Sequence, residues 1–410
     1  MTEAQAARLA ALLARPEVAA VLAMLCRDGE AARLVGGAVR NALLGEPVAD
    51  IDIATTALPE EVMRRARAAG LKPVPTGLAH GTVTVVAEGV PVEVTTLRRD
   101  LETDGRHAVV AFGRDFREDA LRRDFTINAL GLDADGGLHD YADGLADLAA
   151  RRLRFIGEAS QRIAEDYLRI LRFFRFHARY GAGAPDPEGL AACIAGRAGL
   201  SGLSRERVRA ETLKLLVAPG AVATLQAMAG AGLLMPVIGR VPRLTRFAAI
   251  AEEPGEGVHP AFRLAALAVA TLEDAEALRA HLRLSNEEAE RIAAIAGALE
   301  ALSGRAALPE IAAIRMAATR FGRDGTAAAL VLIGAGGREA GPVENLIAAL
   351  ARTPPFLPRG KDVLALGVPP GPEVGRALAA ARAAWIAADC PAGREAQLAL
   401  LAEAVALTAT

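Results

Sequence analysis

The chain has 410 residues, 52% of them hydrophobic and 4% aromatic, and a formal net charge of −2 at pH 7. This length accommodates two to four domains with their own cores, and the abundance of Leu and Ala favours helices. The near-neutral charge provides no overall field that would attract nucleic acid. A polyanion site must therefore rely on a local concentration of arginine, such as the one between Arg98 and Arg179.

Three cysteines, Cys26, Cys193 and Cys390, are far apart in the chain and have neither metal-ligand spacing nor a disulfide framework. The first fifteen residues have the pattern of an amphipathic helix rather than of a secretory signal. No apolar run reaches the roughly 18 residues that a membrane span needs. We therefore expect a cytoplasmic protein with no membrane partner.

The first predicted elements of the domain core are a short strand at Leu34–Val35, a turn at Gly36 and Gly37, and a helix over Ala38–Leu44 that carries Arg40 near its start. Glycines at a strand-to-helix turn allow the backbone to approach a phosphate closely. The helix N-terminus and the arginine both favour negative charge at that point. The pattern therefore predicts a phosphate-binding turn.

The next predicted strand lies within Val48–Ile53 and contains two acidic residues, Asp50 and Asp52. Because side chains alternate along a strand, both carboxylates are expected on one face. Two carboxylates on one face repel each other unless a cation lies between them, and their hard oxygen atoms suit Mg²⁺. A phosphate-binding turn followed by paired carboxylates indicates metal-assisted phosphoryl or nucleotidyl transfer.

Further strand patterns are confined to the first third of the chain. They cover residues 81–86, 90–95, 109–112 and 130–132, of which the last two are candidates for edge strands. The first two flank Ala87–Gly89 and predict a hairpin. Glu93 falls on the polar face of its strand, where exposure to solvent would explain it. With Asp50 and Asp52 upstream, a third carboxylate of the metal site explains it better.

The string from Leu34 to Ile53 resembles the nucleotidyltransferase superfamily, in the branch that contains bacterial tRNA nucleotidyltransferases and poly(A) polymerases. The resemblance implies Mg²⁺ as cofactor and assigns roles to six residues. Those residues are Asp50 and Asp52 as catalytic metal ligands, Glu93 as the third acidic residue, and Gly36, Gly37 and Arg40 as nucleotide-binding groups. One departure is visible, because the position after Arg40 is usually Asp in that family and is Asn41 here. Asn41 falls on the helix, so we expect an effect on geometry rather than on chemistry.

A second string, Arg122–Ala129, resembles the ribose-recognition motif of the same family. The resemblance implies that Arg123 contacts the triphosphate or the ribose, that Asp124 accepts from the ribose 2′-hydroxyl, and that Asn128 also binds the nucleotide. An acceptor beside a donor is what distinguishes a ribonucleotide from a deoxyribonucleotide. Without the family, the same residues would be interpreted as a surface ion pair followed by a half-buried element.

The third string, Glu165–Arg175, has a helical period and predicts one continuous helix. One face is an apolar stripe that is expected to pack in the core. The stripe consists of Tyr167, Ile170, Leu171, Phe174 and Ala178. The opposite face carries Glu165, Asp166, Arg169 and Arg172, with Asp166 and Arg169 as neighbours at i,i+3. Phe173 and Phe176 also fall on this polar face, which suits contact with either a nucleobase or another helix.

An Asp–Arg pair can select bases, because the carboxylate only accepts hydrogen bonds and the guanidinium only donates them. Cytosine and adenine present an amino donor beside a ring-nitrogen acceptor and fit the pair. Uracil and guanine present a carbonyl beside a ring N–H, and each buried group left unpaired costs roughly 1–3 kcal/mol. The string matches the family's templating helix at Glu165, Asp166 and Arg169, which implies Arg172 and Arg175 as further nucleotide contacts. A solvated, salt-bridged helix face is the alternative.

Together these patterns predict an α+β protein. An N-terminal nucleotidyltransferase head with a mixed, mainly antiparallel five-stranded sheet is followed by an all-α neck, body and tail. The predicted bounds are residues 1–150 for the catalytic head, 151–218 for the neck with the base template, 219–300 for the body and 301–410 for the tail. The resemblance implies that the tail binds tRNA, whose acceptor end and elbow the helical part would hold.

The resemblance implies template-independent addition of C, C and A to the 3′ end of tRNA from CTP and ATP, with release of pyrophosphate. The segment Thr76–Val83 is similar to the tRNA-specific members, and the loop Arg98–Arg106 looks full length, which favours complete CCA addition. A poly(A) polymerase and a partial (CC- or A-adding) enzyme are the alternatives. A non-catalytic RNA-binding homologue is disfavoured by the intact Asp50, Asp52 and Glu93.

Overall fold

The computed structural model describes residues 1–103, 108–251, 259–304, 308–335 and 340–408. The chain forms two compact units, residues 1–237 and residues 238–410. All strands of the described residues lie in the first unit, and the second unit is helical. The finer bounds predicted at residues 150, 218 and 300 stay predictions.

The strands begin and end as follows. They are β1 (Ala32–Val35), β2 (Ile51–Thr55), β3 (Lys72–Gly77), β4 (Thr82–Ala87), β5 (Val90–Thr96), β6 (Arg98–Thr103), β7 (Ala108–Phe112), β8 (Gly131–Asp133) and β9 (Leu138–His139). Seven of them form one sheet in the order β3-β4-β5-β2-β1-β8-β9, while β6 and β7 form a separate pair. Within the seven-stranded sheet, β2 and β5 are parallel and the other neighbours are antiparallel.

The helices of the described residues lie before, between and after these strands along the chain. They are α1 (Glu3–Leu13), α2 (Pro16–Leu25), α3 (Gly37–Leu44), α4 (Pro59–Ala68), α5 (Phe116–Leu121), α6 (Gly144–Ala149), α7 (Ala159–Glu165), α8 (Leu168–Tyr180), α9 (Pro187–Ala195), α10 (Arg205–Leu216), α11 (Ala221–Gly230), α12 (Leu234–Ile238), α13 (Leu244–Ala251), α14 (Pro260–Ala268), α15 (Leu272–Leu282), α16 (Asn286–Leu302), α17 (Ile311–Phe321), α18 (Arg323–Gly334), α19 (Ala340–Arg352), α20 (Gly360–Leu364), α21 (Pro372–Ala387) and α22 (Arg394–Thr408). Within the part of the chain that the structure describes, no helix combines the length and apolarity that crossing a membrane requires.

The mixed, mainly antiparallel sheet is confirmed, with seven strands where five were predicted. The two additional strands are β3 and β9. Pro73 and Pro75 interrupt the apolar alternation of β3, and prolines are tolerated there because β3 is an edge strand. Residues 109–112 lie in the β6–β7 pair rather than at an edge of the main sheet. Residues 104–106 of the loop predicted to be full length lie outside the described residues.

The sheet has one apolar face where the side chains of β4 and β5 alternate between buried and less buried positions. Val83 and Val85 of β4 and Val92 and Val94 of β5 are buried, and helices α2 and α4 pack against these strands. Glu93 therefore points to the opposite face, away from those valines. This alternation leaves one face of the sheet free to carry polar side chains.

The second unit is held together by close packing of helices. An added Cβ at Gly297 of α16 would lie 2.2 Å from the Phe321 ring, so only glycine allows α17 to approach this closely. At Gly325 of α18 an added Cβ would lie 2.8 Å from the Cβ of Ala294. The buried face of α16, with Ile292, Ile295 and Leu299 among its residues, supplies the apolar area that stabilises these contacts.

Candidate active site

The predicted phosphate-binding turn lies between β1 and α3. Gly36 precedes the first residue of α3 and has φ +66°, a conformation that L side chains rarely adopt. An added Cβ at Gly36 would also lie 2.9 Å from a terminal guanidinium nitrogen of Arg123. At Gly37 an added Cβ would lie 3.5 Å from Nη2 of Arg40. The turn is thus bordered by two arginines that the sequence had assigned to nucleotide binding.

The three predicted carboxylates lie at neighbouring strands. The parallel register of β2 and β5 pairs Asp52 with Glu93, and the exposed Asp50 comes immediately before β2. Burial raises the pKa of Asp52, an effect that Arg123 opposes and Asp50 reinforces. Burial and the negative charges of Asp52 and Asp50 raise the pKa of Glu93. These carboxylates therefore disfavour one another's ionised form, as expected where a cation is to be bound.

The donor set fits Mg²⁺ held jointly by protein and substrate. In the described residues no three acidic, histidine or cysteine side chains come close enough to enclose a metal ion. Asp50 and Asp52 would therefore supply only part of a coordination shell. Mg²⁺ commonly binds in this way, through one or two carboxylates together with water and substrate phosphates.

A cavity of about 250 Å³ opens beside Asp52 and Glu93, and Arg122 and Arg123 line it as well. Both arginines are held by Asp119, whose carboxylate lies 2.6 Å from Nη2 of Arg122 and 3.1 Å from Nη2 of Arg123. Burial of Asp119 opposes its ionisation, but the charges of Arg123 and Arg122 outweigh burial and lower the pKa of its carboxyl. Acidic and basic side chains thus line one cavity, as a metal–triphosphate complex requires.

Asp124 links the predicted ribose motif to helix α8. Its Oδ2 accepts from Nε of Arg172 at 2.8 Å, and its Oδ1 accepts from Nδ2 of Asn128 at 3.0 Å. Burial of Asp124 works against its ionisation, yet the Arg172 charge and the hydrogen bonds prevail and lower the pKa of the carboxyl. Asp124 is therefore a fixed, ionised acceptor.

The predicted continuous helix over Glu165–Arg175 is wrong. Helix α7 ends at Glu165, Asp166 is extended with φ −157° and ψ 106°, and α8 begins at Leu168. The reason is local, because Oδ1 of Asp166 accepts from the Leu168 N–H at 3.0 Å and thereby caps the new helix. Asp166 therefore lies at a junction between helices rather than on a helix face.

The aromatic residues of this segment also differ from the prediction. Tyr167, expected in the core, is 37% exposed. Its ring lies against the backbone at Gly199, where an added Cβ would approach it to 2.1 Å. Phe173 and Phe176, expected on the polar face, are buried and pack against Phe125 with ring centroids 6.3 and 5.3 Å apart. Both rings are therefore part of the core around Phe125.

Each predicted template residue is held by its own partner. Oδ2 of Asp166 accepts from Nη2 of Arg207 at 2.6 Å. Glu165 is bound by Arg169 and by Arg162, whose Nη1 lies 3.1 Å from the carboxylate. Asp166 and Arg169 are thus oriented separately, although they are only three positions apart.

The two further arginines of α8 converge on one carboxylate. Arg175 Nε lies 2.5 Å from Glu211 Oε2, and Arg172 Nη1 lies 3.8 Å from Glu211 Oε1. Glu211 belongs to α10, so this carboxylate joins the two helices. Arg172 thereby bridges Asp124 and Glu211, and its pKa is raised because both charges outweigh the effect of burial.

Arg40, the remaining predicted contact, is 6% exposed. Its guanidinium donates to Oδ1 of Asn128, to Oη of Tyr180 at 2.7 Å, and to Oδ1 of Asn41 at 2.9 Å. It also lies 4.1 Å above the Tyr180 ring. Arg40 therefore connects the glycine turn, the ribose motif and the end of α8.

Comparison with known proteins identifies the family. A model described as the Poly A polymerase head domain matches residues 32–154, and one described as the probable RNA and SrmB- binding site of polymerase A matches residues 184–245. The solved CCA-adding enzyme of Bacillus stearothermophilus, in complex with CTP, is 31% identical with a TM-score of 0.73, covering 96% of this chain and 98% of that one. The chain belongs to the CCA-adding enzyme family.

Curated members of the CCA-adding enzyme family match over shorter stretches. The mitochondrial CCA tRNA nucleotidyltransferase 1 of Danio rerio is 50% identical over 188 residues, which is 45% of this chain and 44% of that protein. The CCA-adding enzyme of Geobacillus thermodenitrificans is 43% identical over 216 residues, 52% of each chain. The chain thus spans about half the length of the curated relatives it matches.

Sequence reasoning missed four residues that hold this family site together. They are Asp119, Tyr180, Arg207 and Glu211. Asp119 precedes Arg122 and Arg123 by three and four positions, a spacing that signals ion pairs on a helix. Arg207 and Glu211 are one turn apart on α10 and so share a face. Tyr180 carries no such signal, since its contact with Arg40 spans 140 positions.

Proposed function

We propose that this protein adds C, C and A to the 3′ end of tRNA, using CTP and ATP and releasing pyrophosphate. The observation that carries the proposal is the register pairing of Asp52 with Glu93 in a cavity that Arg123 also lines. The family adds support, because its member from Bacillus stearothermophilus was solved with CTP. The curated relatives carry the names CCA-adding enzyme and CCA tRNA nucleotidyltransferase.

In this proposal Asp50 and Asp52 hold Mg²⁺, which when bound would promote attack by the RNA 3′-hydroxyl and neutralise the leaving pyrophosphate. The backbone at Gly36 and Gly37 approaches the phosphates. Arg123, fixed by Asp119, supplies positive charge beside them. Glu93 adds a third negative charge next to Asp52, which strengthens binding of a cation.

Base choice is assigned to Asp166 and Arg169. The carboxylate of Asp166 accepts one hydrogen bond at each oxygen, from Leu168 and from Arg207. An ionised carboxylate has about four acceptor positions, so Asp166 retains capacity for the amino group of cytosine or adenine. Arg169 donates to Glu165 and to the carbonyl of Arg162 through Nη1. Its other N–H groups can donate to a ring nitrogen.

The ribose is assigned to Asp124 and Asn128, which lie between the glycine turn and α8. Arg172 holds Oδ2 of Asp124, while Asn128 and the Phe125 N–H hold Oδ1, so a 2′-hydroxyl would have to replace one of these hydrogen bonds. Arg172 and Arg175 lie on the same helix as Arg169, and their contacts with Glu211 fix that helix against α10. The template and the ribose site are therefore connected through α8.

Incorporation by the purified protein tests the proposal. With Mg²⁺, CTP and ATP, a tRNA that lacks its 3′ terminus should be extended by C-C-A, and a chelator should stop the reaction. CTP alone should give C-C, and ATP alone should extend only a tRNA that already ends in C-C. Long tails made from ATP would instead support a poly(A) polymerase, which the head-domain match also allows. Absence of any addition would overturn the proposal.

A further inference from the structure

Arg40 is a buried cation whose hydrogen-bond partners in the described residues are neutral oxygens. These partners are the side chains of Asn41, Asn128 and Tyr180. Burial lowers the pKa of Arg40, although an arginine remains protonated. A buried charge whose neighbours do not neutralise it is costly to the folded protein. Such a charge therefore points to an anion that is bound during function.

The nearby carboxylates are engaged with other arginines. The N–H of Glu46 donates to the carbonyl of Asn41 at 2.9 Å, but the Glu46 carboxylate pairs with Arg179 at 2.8 Å. Asp124 also attracts the charge of Arg40, but hydrogen bonds link the two only through Asn128, and the Asp124 charge is paired with Arg172 at 2.6 Å. The positive charge of Arg40 is therefore left available to a ligand.

This charge borders the glycine turn. An added Cβ at Gly37 would lie 3.5 Å from Nη2 of Arg40, so the guanidinium lies just behind the turn. Asn41 fixes that position, because its Oδ1 accepts from both Nε and Nη2 of Arg40 at 3.1 and 2.9 Å. Its Nδ2 donates to the carbonyl of Pro47 at 3.0 Å. The amide thus orients Arg40 without neutralising it.

We infer that Asn41 is a positioning residue that sets the affinity of the glycine turn for the triphosphate. Its neutral side chain keeps the Arg40 charge free to attract phosphate. A carboxylate at this position would pair with Arg40, stabilise the folded protein and weaken the attraction for the anion. The inference rests on the proposed nucleotide site and names the residue that tunes it.

The test compares Asn41→Asp with Asn41→Ala in the full chain, using calorimetric titration with inorganic tripolyphosphate and with CTP, in the absence of RNA. Both variants lose the hydrogen bond to Pro47, but only the aspartate neutralises Arg40. Asn41→Asp should bind tripolyphosphate about tenfold more weakly, because the new carboxylate pairs with Arg40 and repels the anion. Asn41→Ala, which loses the contacts that orient Arg40 but adds no charge, should lose less affinity than Asn41→Asp. The melting temperature of ligand-free Asn41→Asp should rise.

Asn345→Asp, an identical charge change on the exposed face of α19, is the matched control and should leave tripolyphosphate binding unchanged. Equal affinity of Asn41→Asp and the wild type would overturn the inference, and so would equal losses in both Asn41 variants. Wild-type protein that binds no tripolyphosphate would overturn it as well. Because the titration needs no RNA, failure of CCA addition is a separate result. That failure would contradict the proposed function without deciding the role of Asn41.

Discussion

The two units of the chain differ in what they bury. The first unit buries Asp119, Asp124 and Glu211, each in contact with at least one arginine. Among the described residues of the second unit, the buried polar or charged side chains are Arg263, Thr326, Thr353 and Gln397. Removing an ion pair from water generally costs more than packing apolar groups in its place. The first unit therefore retains ionised groups that stability alone does not require.

Three of these side chains, Thr326, Thr353 and Gln397, form hydrogen bonds with the backbone instead. Gln397 accepts from the Leu357 N–H at 2.7 Å and donates to the carbonyls of Pro355 and Pro391 at 3.2 and 2.8 Å. One side chain thus satisfies three backbone groups of loops that contain prolines. From this difference we expect the chemistry in the first unit and an RNA-binding surface in the second. Substitutions in the first unit should therefore reduce nucleotide addition, whereas substitutions in the second unit should reduce binding of tRNA.

The largest expected effect is that of Asp52→Asn, which keeps the shape of the side chain but removes its charge. If Asp52 holds the metal ion, nucleotide addition should fall by about a thousandfold or more, as when a principal catalytic group is lost. Binding of tRNA should change little, because Asp52 is not among the residues proposed to contact the phosphates of the RNA. Single-turnover incorporation of CMP and a filter-binding assay measure the two quantities.

The matched control is Glu344→Gln, which removes one negative charge from the exposed surface of the second unit. This variant should retain nearly full turnover. Substantial turnover in Asp52→Asn, or equal losses in the two variants, would contradict the assignment of the metal site to Asp52.

The second effect concerns base selection. Asp166→Ala removes the acceptor proposed for the base amino group, so discrimination against UTP and GTP should fall by about a hundredfold. Binding of the triphosphate should be affected less, because Arg123 and the glycine turn are unchanged. The ratio of UMP to CMP incorporation, measured in competition, provides the readout.

Arg207→Gln supplies the companion variant. It leaves Asp166 in place but removes the cation that orients it, so a smaller loss of discrimination is expected. If Asp166→Ala incorporates UMP and GMP no more often than the wild type, the Asp166–Arg207 pair is an ordinary salt bridge.

The sequence was informative where hydrophobic spacing and turn residues decide the structure. The glycine turn before α3 and the β4–β5 hairpin follow from patterns within a few residues, and both are present. The break at Asp166 was missed because the apolar spacing continues across it. One side chain that caps a new helix does not change that spacing. The partner of Asp166 was also hidden, since Arg207 lies 41 positions further along the chain.

The third effect is smaller and lies in the second unit. Lys361 and Arg376 are exposed in the predicted tail, and reversing both charges should weaken binding of tRNA by about tenfold if they bind phosphates. The slope of log affinity against log salt should decrease by about one for each phosphate that the variant no longer neutralises. A short acceptor-stem minihelix should be extended at a nearly normal rate.

Lys72→Glu, an exposed charge reversal in β3 of the first unit, provides the comparison. The tail variant reverses two charges and Lys72→Glu reverses one. If both weaken tRNA binding equally per reversed charge, the net charge of the protein rather than a particular surface controls the affinity. Equal losses on tRNA and minihelix would also contradict a role of the tail in reaching the rest of the tRNA.

The smallest effect is a pH dependence of stability that should differ in sign between two carboxyls of the first unit. The pKa of Asp52 is raised mainly by burial, whereas that of Asp124 is lowered because the Arg172 charge and the hydrogen bonds to the carboxylate together outweigh burial. A raised pKa means that the folded state binds the proton more tightly, so stability is present at low pH and lost as the pH rises above the ordinary value of 3.8. A lowered pKa gives the opposite behaviour.

Melting curves in chelator from about pH 2 to about pH 7 test this, because replacing either aspartate by Asn removes the titration of that carboxyl. As the pH rises, the melting temperature of the wild type should fall by about 1–3 °C relative to that of Asp52→Asn. Addition of Mg²⁺ should reverse this fall. The wild type should gain stability relative to Asp124→Asn over the lower part of the same range. Differences that do not vary with pH would contradict both pKa directions. A trend for Asp52 that Mg²⁺ leaves unchanged would mean that its carboxylate does not bind the cation.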